Sequence, residues 1–279
     1  MNAVFLEKIL GRRFFVVLNL LIILVVESTG KFFYNTGMLH VIALLFVLLT
    51  VVRIFIHYKT FDQFLDKIVH ASIFALFIFA ISHIMEYINF TLYHRYDDAV
   101  FATTINFYLI GLASIAIGAE LFLVKYDKRS NLLLQFLYLI SVGLAVFNIA
   151  ISFNHSLVSL DLGTVFPYLY TLLAAGLLIV AVKKILRLRQ KISISVGFLN
   201  FLIWSMSFIA ISMAPNIFYE TLEEKFGLMM YQIMYLSHFA FFVSLSLMFL
   251  SYRKLANLSG VYAQAQQLNN SVSGSNQSL

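Results

Sequence analysis

The chain has 279 residues, 61% hydrophobic and 11% charged, with a formal net charge of +6. Soluble domains carry about 25% charged residues, so this composition excludes an ordinary soluble protein and specifies a membrane one, in which ~20-residue spans leave no room for a separate soluble domain. Cysteine is absent, which removes disulfides, thiolate metal sites and thiol nucleophiles.

Apolar runs between polar clusters predict eight transmembrane spans, at 13–28, 38–57, 68–90, 102–124, 132–153, 165–183, 193–214 and 228–251. The expected fold is all-α, a polytopic integral membrane helix bundle. It forms one domain over 1–254, followed by a polar tail over 255–279, rich in Ser, Asn and Gln and largely disordered.

The first span is short and follows Arg12 and Arg13, as a signal peptide would, but no small-residue cleavage site follows it, so it is read as an uncleaved anchor. Residues 5–10 ahead of it suit a short amphipathic turn on the membrane surface. Glu27 closes this span, and His40 opens the second. The third span carries His70 near one end and Ser82, His83 and Glu86 near the other. The i to i+3 spacing puts His83 and Glu86 on one face of the helix, where their ionisation is coupled.

In the fourth span Gly111, Ser114 and Gly118 form a stripe of small residues that lets another helix approach closely, while Asn106, Ala113 and Glu120 form the opposite stripe. Both faces are in use, so this span is expected at the centre of the bundle. Glu120 lies at a depth where His70 could reach it. The fifth span adds Asn148, the seventh Asn200, and the eighth Gln232 and His238. Pro167 and Pro215 sit at the edges of apolar runs, so no span is expected to be broken. Tyr87, Tyr93, Tyr96, Tyr108, Tyr126, Tyr219 and Tyr231 fall near span ends, as interfacial belts do.

Charge gives an independent check on the count. With eight spans and a cytoplasmic N-terminus, all of the 19 basic residues except Lys31, Arg95 and Lys225 fall inside, so the positive-inside rule holds at every loop. The expected location is the plasma (inner) membrane with both termini cytoplasmic. The lipid bilayer is the expected partner, with a protein partner at the cytoplasmic face or tail. Basic residues spread over five short segments give no reason to invoke nucleic acid.

Counting depth at about 1.5 Å per residue puts Glu27, His40, His83, Glu86, Asn148 and Gln232 in the outer half, with His238 close to the middle. These define a candidate ligand or proton site, drawn together as an outward-opening polar vestibule. His70 and Glu120 define a second, inner polar site about 20 Å away. No catalytic residue and no cofactor are predicted. A metal is left open at His83 and Glu86, with His40 and His238 as further ligands, and a haem on a histidine pair is physically allowed though no spacing indicates it.

Three function classes fit these residues. A sensor or small-ligand-binding module would signal through a partner, because no output domain follows the last span. A proton-coupled transporter would use Glu86 and Glu120 on opposite sides of the midplane. A metal- or haem-dependent membrane enzyme would draw on His40, His83 and His238. The sensor comes first, and the balance leans away from an enzyme.

Overall fold

In hydrocarbon every backbone N–H and C=O must be satisfied within the chain, so long runs of Leu, Ile, Val and Phe fold as helices. The computed structural model describes residues 37–57, 65–92, 98–124, 131–153, 166–191 and 196–275. The predicted span 13–28, Glu27 and the amphipathic turn at 5–10 lie outside them, as does the side chain of Asn148.

The described residues form eight α-helices and one π-helical turn, with no strand among them. We label the helices α1 (Met38–His57), α2 (Asp66–Tyr87), α3 (Asp98–Val124), α4 (Asn131–Phe153), α5 (Phe166–Lys191), α6 (Val196–Ile217), α7 (Tyr219–Phe226) and α8 (Met230–Ser275). Six of them, α1, α2, α3, α5, α6 and α8, are long and apolar enough to cross a membrane, and α4 contributes the shorter apolar stretch Leu132–Phe147. The protein is a helical membrane bundle.

The two prolines fall where a helix tolerates them. Pro167 is the second residue of α5, where its N–H has no helical partner to lose, and Pro215 is inside the last turn of α6. The short amphipathic helix α7 carries Glu220, Glu223 and Glu224 and stops at Gly227, whose φ of 64° is the left-handed conformation that ends helices. α8 has 46 residues, about 69 Å at 1.5 Å per residue. It continues as helix to Ser275, through most of the tail expected to be disordered.

α3 is the central helix. Its apolar window is 78% buried, against 33–61% for the other five spans, and it touches α2, α4, α5 and α6. The small-residue stripe explains the closest of these contacts. A Cβ on Gly111 would overlap the ring of Phe79, and one on Gly118 would overlap Ala71 and stand 3.0 Å from the Lys67 carbonyl. The opposite stripe faces α5, where Tyr170 donates a hydrogen bond to Asn106 Oδ1 at 3.3 Å.

α6 and α8 run antiparallel and are joined by serines. Ser237, Ser244 and Ser251, spaced seven residues apart on α8, donate to the carbonyls of Ser212, Ser205 and Phe198 on α6, at 2.7, 2.8 and 2.8 Å. Small side chains let the two backbones approach, and each hydroxyl bonds across the seam. The spacing is that of a heptad, so the three bonds form one ladder along a single face of α8.

Candidate functional site

Two glycine-permitted contacts set up the site. Gly37, with φ 64°, precedes α1, and a Cβ there would overlap Thr91 Oγ1 and come within 2.8 Å of the Tyr87 ring. The start of α1 therefore lies directly against the end of α2. One turn into α1 stands His40, and one residue before Tyr87 stands Glu86. His83 lies one turn earlier on the same face of α2, and α8 brings His238 alongside.

The four side chains meet in the interior, His40 3%, His83 0%, Glu86 2% and His238 2% exposed. Glu86 Oε2 lies 3.0 Å from His40 Nδ1, 3.5 Å from His83 Nδ1 and 3.7 Å from His238 Nε2. His238 Nε2 is 3.2 Å from His40 Nδ1. One ligand-capable atom from each residue falls within 4.8 Å of all the others, a donor set that could hold a metal ion.

The outward-facing atoms of the cluster are also held. Ser82 Oγ donates to Glu86 Oε1 at 3.2 Å. His238 Nδ1 lies 2.8 Å from the Met234 carbonyl, which can only accept, so Nδ1 carries the proton and Nε2 presents a lone pair inward. Tyr108 Oη is 3.2 Å from His83 Nε2. Aromatic rings close the site from below: Phe241 lies 4.6 Å from the His83 ring and stacks on Tyr108 at 5.3 Å, with Phe79 edge-on to both.

Of the residues expected to share an outer site, the structure brings together His40, His83, Glu86 and His238. Gln232 stays apart, its Oε1 accepting from the Met229 N–H at 2.8 Å at the start of α8. The four stand together as a buried cluster, each at most 3% exposed. One expectation needs correction. Tyr108 is not an interfacial belt residue. It is 1% exposed and bonded to His83, and no signal in its own span distinguished it from the other tyrosines near span ends.

At the other end of the bundle Glu120 is fully buried, and its Oε2 is 2.6 Å from Lys184 Nζ on α5. His70, the partner expected for it, has a side chain 55% exposed, with Nδ1 2.9 Å from both the carbonyl and the carboxylate of Asp66. Lys184 stands in a basic run beyond the predicted span 165–183 and so reads as a cytoplasmic loop charge, but α5 continues to Lys191 and buries it at 7% exposure. Asn200, on α6, accepts from Arg189 Nη1 at 3.2 Å. Between the two sites the core includes Leu76, Phe79, Leu112, Ala113 and Ala116, with Ser114 and Thr50 also buried.

Comparison with known protein families, with curated proteins and with solved structures returns no match for this chain.

Proposed function

We propose that the chain is a membrane-embedded sensor or small-ligand-binding module, whose input is the His40–His83–Glu86–His238 cluster and whose output is α8. The observation that carries this reading is the position of His238. It ties α8 to α1 and α2 in the buried interior, and α8 then runs unbroken to Ser275. The serine ladder joins α8 to α6 along the span, so a change at His238 would move the two helices together. In this reading the far end of α8 faces the cytoplasm, in line with Lys183, Arg187, Arg189, Arg253 and Lys254 gathered at that end, and a protein partner there receives the signal.

The competing classes fit less well. A proton-coupled transporter needs a continuous polar route between Glu86 and Glu120, and the core there is built largely of apolar residues such as Leu76, Phe79, Leu112 and Ala116. An enzyme needs a reacting position open to substrate, and the four side chains of the cluster are each at most 3% exposed.

Absence of native cysteine makes the relay directly measurable. Spin labels at Asn257→Cys on α8 and Leu186→Cys on α5, both at exposed positions, report the distance between the two helices at the far end. Glu86→Gln in the cluster is expected to shift that distance distribution. Superimposable distributions would remove α8 as the output. Proton flux in proteoliposomes, abolished by Glu86→Gln, would favour the transporter.

A further inference from the structure

The inward atoms of the cluster do not form a self-sufficient hydrogen-bonded knot. His238 Nε2 offers a lone pair, since its proton is on Nδ1 toward the Met234 carbonyl, and Glu86 Oε2 is an acceptor as a carboxylate. His40 Nδ1 stands 3.2 and 3.0 Å from these two atoms. His83 Nδ1, on a fully buried ring, makes no hydrogen bond although it points at the same spot, 3.5 Å from Glu86 Oε2. Lone pairs and an anion directed at one buried point call for a cation.

The spacing identifies the class of cation. Bonds of about 2.0–2.1 Å to nitrogen and oxygen in a tetrahedron place the ligand atoms about 3.3–3.4 Å apart. Four of the six separations run from 3.0 to 3.7 Å, and all fall within 4.8 Å, close enough for small side-chain shifts to close the tetrahedron. The remaining ring nitrogens of two ligands are held as metal-binding histidines require, His238 Nδ1 by a backbone carbonyl and His83 Nε2 by the Tyr108 hydroxyl.

We infer that His40 Nδ1, His83 Nδ1, Glu86 Oε2 and His238 Nε2 form a tetrahedral site for one divalent transition-metal ion, with zinc the best match. Three imidazoles and one carboxylate suit zinc, whose filled shell accepts a tetrahedron without penalty. Calcium and magnesium call for oxygen ligands, and copper(I) for sulfur. Four protein donors complete the coordination and leave no place for a substrate, so the ion would act as a clasp between helices. His40 comes from α1, His83 and Glu86 from α2, and His238 from α8, so the ion would fasten α8 to the α1–α2 pair. This names the ligand of the sensor proposed above, yet the site stands even if α8 relays nothing.

The test uses the full chain in detergent. Protein purified without chelator is analysed for zinc and the other transition metals, then stripped and titrated with Co2+, whose absorption reports tetrahedral geometry, and with Zn2+ in competition. The expected result is one ion per chain, a tetrahedral cobalt spectrum erased by Zn2+, and at least a hundredfold weaker binding in Glu86→Gln and His238→Ala. Glu86→Gln keeps the shape of the side chain and so preserves the fold, and Lys184→Met at the other end should bind as the parent does. No stoichiometric ion, Co2+ binding equal in Glu86→Gln and parent, or an octahedral spectrum would each overturn the inference. The outcomes separate from those of the spin-label experiment: metal bound with no movement of α8 removes the relay alone, and movement on Glu86→Gln without metal binding removes the ion alone.

Discussion

Glu86 and Glu120 are both carboxylates sealed in the bundle, 2% and 0% exposed, and the fold compensates them in different ways. Glu120 lies against Lys184, whose Nζ stands 2.6 Å from its carboxylate. Glu86 has three histidines at 3.0 to 3.7 Å, side chains whose ring nitrogens can present either a lone pair or a proton. The first pair is balanced without help from solution. The second is balanced once a proton or a metal ion joins it, which is why the outer cluster, and not the inner pair, reads as a place where the protein meets its ligand.

The largest expected effect tests the inner side of this contrast. Lys184→Met leaves Glu120 buried without its cation, and breaking a buried pair in this way costs about 3–5 kcal/mol. Adding Glu120→Gln to that variant should recover most of the loss, because the charge that lacked a partner is gone. Unfolding in detergent measures both, and a neutral Lys184→Met would mean that the pair does not hold α3 to α5.

Zinc should act on the other carboxylate alone. At a hundred times its dissociation constant a ligand that binds only the folded state stabilises by about 2.7 kcal/mol, and the parent should gain that amount. Glu86→Gln should gain almost none of it, while Lys184→Met, though weakened at the start, should gain as much as the parent. Equal stabilisation of all three would place the zinc elsewhere.

Tyr108→Phe probes the outer shell of the cluster without touching a donor. It removes the hydroxyl 3.2 Å from His83 Nε2 but keeps the ring stacked on Phe241. Loss of such a partner costs about 10–100-fold in metal affinity. Zinc titration of the stripped variant should detect it, whereas stability in the presence of chelator should barely change. If chelator-treated stability fell instead, Tyr108 would be a packing residue.

The six long apolar helices from Met38 onward were legible because apolar run length and backbone satisfaction leave few alternatives, whereas the stretch expected as a span at 132–153 gives only the shorter apolar run Leu132–Phe147; the central place of α3 was legible in its two stripes. His83 and Glu86 announced themselves by i to i+3 spacing. His40 and His238 could be named by depth, but depth put His238 near the middle of its span. The α8 span Met230–Asn257, with 28 residues, is longer than a straight crossing of the hydrocarbon needs, which lets His238 stand level with His40. Lys184 was missed because a lysine in a basic run reads as a loop charge, and only the continuation of α5 carries it inside. Tyr108 was missed because its contact with His83 joins residues 25 positions apart on two helices. In both cases the deciding contact is tertiary, and no pattern within one span encodes it.

The smallest effect concerns what joins the two regions. Ser244 sits in the middle of the ladder, within 3.0 Å of Ser205 Oγ and donating to the Ser205 carbonyl at 2.8 Å. Ser244→Ala keeps the backbones close and removes one interhelical bond, worth about 0.6 kcal/mol in a membrane protein, so unfolding should hardly register it. The spin-label distances between α8 and α5 should be more sensitive, because a ladder with its middle rung missing lets α8 bend between His238 and Asn257. A broadened distribution with the cluster intact would show that the ladder transmits the state of the outer site. If the distribution stayed as narrow as in the parent, Ser237 and Ser251 would suffice to hold α6 and α8 as one body, and any relay would rest on the stiffness of α8 itself.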